Sequence, residues 1–236
     1  MPRPVSPTHR LIGAARWPFG LLATSWSYIW RTTPVHRCEL EGSWEADRPP
    51  EVAPGADLRE VQRAEDGSGA YLRRRYRVAV RDPARSATEA MADVQADPNT
   101  VVPRALAHFA KTAGERDRMR VGDEFTVRMP GPWDGPVRVV DLRPTSFRFI
   151  TLDGHIEAGQ IEWRTGDEDG RLVFEIESWS RPGDRLSDLM HHRLRMAKEV
   201  QLHMWTSVLE KVAGRYGGRR DGPLDIRTRV VASPPG

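Results

Sequence analysis

Five polar residues interrupt the apolar pattern of the C-terminal half of the sequence. They are Asp141, Thr151, Glu157, Ser178 and Gln201. Side chains alternate between the two faces of a strand, so the four strand residues are expected to point to the same side as their apolar neighbours. A buried polar group without a partner costs about 1–3 kcal/mol. Either these residues lie at strand ends where water or backbone satisfies them, or they form a polar cluster at an apolar ligand cavity.

Two residues near one of these positions could carry acid–base chemistry. Glu157 follows His155 by two residues in the sequence DGHIE. A carboxylate in apolar surroundings can have its pKa raised toward neutrality, which suits a general acid or base. If the protein is an enzyme, Glu157 and His155 at the opening of the cavity are the predicted acid–base residues.

Two tryptophans are expected near the same space. Trp163 lies on the apolar face of a period-two run, where it packs in the core or lines a cavity. Trp133 lies in the turn PGPWDGP, where it is either tucked against the protein or part of a loop over the cavity opening. These two tryptophans complete the predicted ligand-binding set.

Metal, nucleotide and disulfide chemistry are not expected. Glu199 and His203 can share a helix face, but His192 precedes His203 by eleven residues, about 16 Å at 1.5 Å per residue. Cys38 is the only cysteine, so no intrachain disulfide can form, which fits a reducing cytoplasm. The sequence contains no phosphate-binding glycine loop. No metal and no cofactor are therefore predicted.

The elements that would position these residues follow from hydrophobic periodicity. Residues 71–80 predict a half-buried strand, Asp82-Pro83 opens a helix, and Asp97-Pro98 opens a second short one. Residues 186–213 contain no Pro or Gly and carry apolar residues at three- and four-residue steps, which predicts a long amphipathic helix. Five further period-two runs, separated by short turns, predict an antiparallel meander: 124–129, 137–142, 146–152, 157–163 and 171–179.

A curved sheet must bury its apolar face, and the long C-terminal helix offers the matching apolar stripe. The predicted fold is therefore α+β, a helix-grip with the sheet wrapped around that helix. Residues 118–164 and 172–213, with WRTTPVHR and EDGSGAYLRRRYRV before them, resemble the bacterial form of the domain-of-unknown-function family nineteen-ninety. That family lies near the START-related SRPBCC superfamily, whose members commonly hold a hydrophobic ligand between sheet and helix. The resemblance implies a fold and supplies no catalytic residues.

The charge distribution argues against nucleic acid as a partner. Lys and Arg number 36 and Asp and Glu number 33, a net charge of +3, with both signs interspersed. Nucleic-acid binding needs a concentrated positive surface, so it is not expected.

Four segments are predicted along the chain: an apolar Trp-rich arm (1–44), a Pro/Gly-rich connector (45–69), the helix-grip domain (70–217) and a loosely ordered tail (218–236). Residues 11–30 contain one charge and three tryptophans. They could pack on the protein's own core, bind a membrane surface or a protein partner, or act as a signal or anchor. The predicted location is the cytoplasm, with membrane association through residues 11–30 left open.

Three functions remain open. The leading hypothesis is that the cavity between sheet and C-terminal helix binds a hydrophobic or amphipathic small molecule. The second is a cyclase- or hydrolase-type enzyme that uses the same cavity. The third is a non-enzymatic module that docks on a membrane or protein through the N-terminal arm.

Overall fold

The computed structural model describes residues 34–115, 117–129, 134–183 and 191–231, and of residues 191–201 only the backbone. The apolar segment 11–30 lies outside the described residues. Ten strands form one sheet with the order β1-β10-β2-β8-β7-β6-β5-β4-β3, and β9 pairs with β2. Neighbouring strands are antiparallel except for β1 and β10, which are parallel.

The strands are β1 (Val35–Glu41), β2 (Tyr71–Arg81), β3 (His108–Ala113), β4 (Glu124–Arg128), β5 (Asp134–Arg143), β6 (Ser146–Thr151), β7 (Glu157–Glu168), β8 (Arg171–Pro182), β9 (Arg219–Arg220) and β10 (Leu224–Val231). The helices are α1 (Trp44–Asp47), α2 (Ala87–Ala96) and α3 (His191–Arg215), with 3-10 turns at Ala64–Asp66 and Pro98–Thr100.

The predicted meander and long C-terminal helix are confirmed. Strands β4 to β8 pair consecutively, and β2 joins β8 on the other side. The face of the sheet that packs on α3, here called the inner face, carries a continuous apolar row in which Ile226, Tyr76, Ile176, Trp163 and Phe147 lie opposite one another on successive strands. Buried helix residues such as Val208, Leu209 and Val212 close the same core. The fold is thus the α+β helix-grip.

The second short helix was predicted wrongly. Only Pro98–Thr100 turns there, and His108–Ala113 is the edge strand β3. The Asn99 side chain accepts a hydrogen bond from the Phe109 N–H at 2.8 Å and donates one to its carbonyl at 2.9 Å. The amide group thereby supplies the pairing that a further strand would give.

The predicted tail and arm boundaries are also wrong. Leu224–Val231 is β10, paired with β2 on one side and with Val35–Glu41 on the other. Leu224 and Ile226 are fully buried in the core. Residues from the predicted arm and tail therefore belong to the same sheet as the predicted domain. Without β10, β2 would be an edge strand with unpaired backbone groups, and β10 pairs with them.

The Pro/Gly-rich segment 45–69 packs against the opposite side of the sheet, here called the outer face. Arg138 donates to the Asp57 carbonyl at 2.9 Å, and Arg148 donates to that of Glu51 at 3.1 Å. Gln160 donates to the Pro50 carbonyl at 3.2 Å. Because a Pro-rich chain builds no ladder of its own, these outer-face donors fix it, and it is part of the fold rather than a free connector.

Ion pairs cover part of the remaining outer face. Arg73 donates to Glu177 at 2.7 Å, and Arg164 bonds both Glu175 and Glu177. Glu177 is 2% exposed. The charges in this part of the outer face therefore pair with one another. Tyr71, Trp179 and Val231 form a second, smaller apolar cluster on the outer face, and the main apolar core lies on the inner face. In the described part of the chain, no helix is long and apolar enough to cross a membrane.

Candidate functional site

An aromatic cluster occupies the middle of the inner face. The Trp163 ring lies 5.4 Å from Phe147, 5.9 Å from Phe109 and 6.2 Å from Phe174, measured between ring centroids. Trp205 of α3 meets Trp163 edge-on at 5.6 Å. Edge-to-face pairs of this kind add about 0.5–1.5 kcal/mol each beyond area burial. Through Trp205, α3 contacts the sheet at this cluster.

Three buried polar atoms near this cluster have no hydrogen-bond partner among the residues that the structure describes. They are the Nε1 atoms of Trp163 and Trp205 and the Oγ atom of Ser178. The three residues are 0%, 5% and 2% exposed. Ser178 lies opposite Ile161 and Trp163 lies opposite Ile176, so the hydroxyl and the indole are diagonal neighbours on adjacent strands.

A row of buried polar residues crosses the inner face beside the apolar row. Thr228, Arg74 and Ser178 lie opposite one another on β10, β2 and β8. They are 3%, 5% and 2% exposed. Burial raises the pKa of the Tyr76 hydroxyl, and a hydrogen bond with the Arg74 side chain opposes that rise. On β10, β2 and β8 the inner face thus carries this polar row beside apolar core residues, whereas its aromatic side chains concentrate on the strands from β7 to β4.

Asp141 was assigned to the wrong face. The pairing of β5 with β6 shifts register between Val139 and Asp141, so Asp141 lies opposite Arg148 of the outer face. The extra residue, Val140, is 1% exposed. A β-bulge inserts one residue and inverts the alternation beyond it. Asp141 pairs with Arg143 at 3.1 Å on that outer face and does not join the site.

Thr151 does face inward, but its hydroxyl is satisfied by backbone. It donates to the Gln62 carbonyl at 2.7 Å and accepts from the Gly159 N–H at 2.9 Å. The Gln62 N–H in turn donates to the Thr151 carbonyl at 2.9 Å. Thr151 therefore anchors the segment before β2 to the end of β6.

His155 and Glu157 lie together at the β6–β7 turn. The Nδ1 atom of His155 accepts from the Glu157 backbone N–H at 2.9 Å, so the turn uses this nitrogen. The Nε2 atom lies 2.8 Å from the position that a Cβ at Gly135 would take. Burial lowers the pKa of His155, and the Glu157 carboxylate pulls it upward by less. The residue therefore favours the neutral imidazole.

The lowered pKa of His155 makes stability depend on pH. The unfolded chain binds a proton near the ordinary pKa of 6.5, whereas the folded chain resists it. Protonation of His155 therefore does not reduce the free energy of unfolding above pH 6.5. Below that pH the unfolded chain binds the proton more tightly, so the free energy of unfolding falls as the pH drops toward the folded pKa. Urea denaturation at pH 7.5, 6.5 and 5.5 should show this decline, and His155→Asn should make it shallower. An equal slope in both proteins would assign the dependence to another group.

The remaining predicted residues divide in two. Trp163 and Ser178 lie on the inner face as expected. Trp133 lies outside the described residues, and so does the side chain of Gln201, whose backbone belongs to α3. Among the described residues, no group of three His, Cys, Asp or Glu side chains could hold a metal ion.

Sequence reasoning missed Arg74, Thr228 and Trp205. Arg74 precedes Tyr76 by two residues and shares its face, so extending the alternation of YLRRRYRV by one step would have found it. Thr228 follows Leu224 and Ile226 with the same period. No sequence signal pairs Trp205 with Trp163, because that contact joins distant elements.

The fold defines the chain as a helix-grip protein. The model of the family described as a domain of unknown function (DUF1990) matches residues 59–211, and the chain belongs to this family. No curated protein matches the sequence.

Solved structures with similar folds are remote in sequence. A norcoclaurine synthase point mutant of Thalictrum flavumn, in complex with a transition state analogue, aligns with a TM-score of 0.44 at 9% identity and covers 64% of this chain and 99% of that one. The di-domain ARO/CYC StfQ of the steffimycin biosynthetic pathway gives 0.42 at 11%, covering 64% and 53%. Ara h 8.0201 gives 0.39 at 10%, covering 61% and 99%.

Proposed function

We propose that the protein binds a hydrophobic or amphipathic small molecule between the inner face of the sheet and α3. The observation that carries the proposal is the set of three buried polar atoms, on Trp163, Trp205 and Ser178, without partners among the described residues. An unsatisfied buried donor or acceptor costs about 1–3 kcal/mol. A ligand whose polar atoms pair with these groups would recover that cost.

The surroundings of these atoms favour an apolar ligand body. Trp163 is flanked by Phe109, Phe147 and Phe174, all within 6.2 Å between centroids. Small-molecule sites are usually lined by apolar and aromatic side chains, with a few polar groups that set orientation. The inner face combines both, whereas Arg73, Arg164, Glu175 and Glu177 of the outer face pair with one another.

Native mass spectrometry of the full chain as purified is the first test, followed by denaturing extraction of any bound compound. Displacement of N-phenyl-1-naphthylamine by dodecanol then measures affinity for a neutral amphiphile. Ser178→Leu removes the hydroxyl and fills its space, and we expect about tenfold weaker binding, since a lost hydrogen bond costs about 0.5–1.5 kcal/mol and the larger side chain excludes the ligand.

Thr126→Leu is the matched control. Thr126 lies half-buried on the outer face of β4, where a leucine adds apolar volume away from α3. Its affinity should equal that of the unaltered protein. If folded Ser178→Leu binds the probe as tightly as the control does, the ligand does not occupy this space.

A further inference from the structure

We propose that the ligand presents a neutral carbonyl group, such as a ketone or an ester, to the aromatic cluster, where the indole N–H groups of Trp163 and Trp205 and the hydroxyl of Ser178 donate to it. This inference rests on the proposed function and names the chemical class of its ligand. Within the described part of the chain, all three polar atoms are buried and have no hydrogen-bond partner. Their own hydrogen-bond capacity decides what they can bind.

The two indole groups select for hydrogen-bond acceptors. An indole Nε1–H donates one hydrogen bond and accepts none, whereas a hydroxyl does both. A ligand group that only donates could pair with Ser178, but it would leave Trp163 and Trp205 unpaired. A carbonyl oxygen has two lone pairs and no proton to donate, so it can accept from any of the three groups.

The donors come from both layers that would enclose the ligand. Trp163 lies on β7, and Trp205 of α3 meets its ring edge-on at 5.6 Å between centroids. Ser178 lies on the neighbouring strand β8, opposite Ile161, while Trp163 lies opposite Ile176. Donors from the sheet and from the helix therefore border the space in which the proposed function places the ligand.

The surroundings favour a neutral oxygen over an anionic one. The side chains around Trp163 carry no charge: Phe109, Phe147, Phe174 and Trp205. Burying an ionised carboxylate costs far more than burying a neutral carbonyl group unless a cation pairs with it. The cation opposite Ser178 is Arg74, whose side chain hydrogen-bonds that of Tyr76. The unpartnered donors of the cluster are thus all neutral groups.

The test uses three probes of similar size that differ in the group joining two phenyl rings. Benzophenone carries an acceptor there, diphenylmethane carries neither acceptor nor donor, and diphenylamine carries a donor. Displacement of N-phenyl-1-naphthylamine from the full chain gives the three affinities. One net hydrogen bond corresponds to about two- to tenfold in affinity, so benzophenone should bind more tightly than either of the other probes by about that factor.

Two variants remove the donors and keep an aromatic ring. Trp163→Phe and Trp205→Phe should each lower the preference for benzophenone about twofold or more, because each deletes one indole N–H. Trp179→Phe is the matched control. Trp179 is 4% exposed and packs in the smaller cluster on the outer face, so its replacement should leave the preference unchanged.

A measurement on the unaltered protein keeps the inference testable if these variants do not fold. The chain has eight tryptophans, whose indole N–H groups give separate signals in a proton–nitrogen correlation spectrum. A new hydrogen bond to oxygen deshields the proton, so benzophenone should move at least one indole proton signal downfield and diphenylmethane should move none in this way.

The outcomes separate the two proposals. Equal affinity for benzophenone and diphenylmethane overturns the carbonyl inference alone. So does a preference that both tryptophan variants retain, or an indole spectrum in which benzophenone moves no signal downfield. If N-phenyl-1-naphthylamine and all three probes fail to bind, the proposed function itself fails.

Discussion

A chain that ends at residue 221 is expected to lose cooperative folding. The missing strand, β10, is paired on both sides, with β1 and β2, and contributes Leu224 and Ile226 to the core at 0% and 1% exposed. Each lost buried aliphatic side chain costs about 2–5 kcal/mol, and β1 loses its only partner strand in the described sheet. These two side chains alone therefore cost about 4–10 kcal/mol, which is comparable to a typical total stability of about 5–15 kcal/mol.

Far-UV circular dichroism, thermal unfolding and size-exclusion chromatography measure the outcome. The matched control ends at residue 231, which removes five residues and keeps all of β10. It should unfold in one sharp transition, while the shorter chain should aggregate or melt without one. A sharp transition in the chain ending at 221 would show that β10 is dispensable.

Strand β10 could not be predicted from the local sequence, whereas β4 to β8 could. Strands β4 to β8 were predicted because each pairs with the next one along the chain through a short turn. The alternation of Leu224, Ile226 and Thr228 is equally regular. However, the partner strands of β10 begin at residues 35 and 71, and no local signal joins such distant segments. The turn residues before it therefore favoured a loose tail.

Only part of the site could be predicted, because some of its contacts also join distant segments. Ser178 and Trp163 follow from alternation along unbroken strands. Asp141 does not, because one bulged residue turns it to the outer face, and nothing in VRVVDL shows the bulge. Thr151 was placed on the correct face, but its partner, the Gln62 carbonyl, comes from a segment that reads as a connector. Alternation predicts a face, whereas partners depend on the tertiary structure.

Gly159→Ala is expected to destabilise the protein by about 3–5 kcal/mol, by combining backbone strain with overpacking. Gly159 has φ +148°, and a Cβ there would lie 2.0 Å from the Trp179 carbonyl oxygen and 2.9 Å from the Ser180 Cα. The clash is with backbone, so no side-chain rotation relieves it. The Gly159 N–H also donates to the Thr151 hydroxyl at 2.9 Å, a bond that a displaced β7 would lose.

Gly166→Ala on the same strand is the control. A Cβ at Gly166 meets nothing within 4 Å, so this variant should stay within about 1 kcal/mol of the unaltered protein. Urea denaturation of the three proteins gives the comparison, and equal midpoints would show that β7 and β8 are not held so closely.

The same substitution also tests how the site is built. Gly159 lies opposite Ser180, two residues from the unpartnered Ser178 on β8. Separating β7 from β8 at this row would move Ser178 away from the row of Trp163. Under conditions where Gly159→Ala is still folded, dodecanol should therefore bind more weakly to it than to Gly166→Ala. Equal affinities would mean that the site does not depend on the close approach of the two strands.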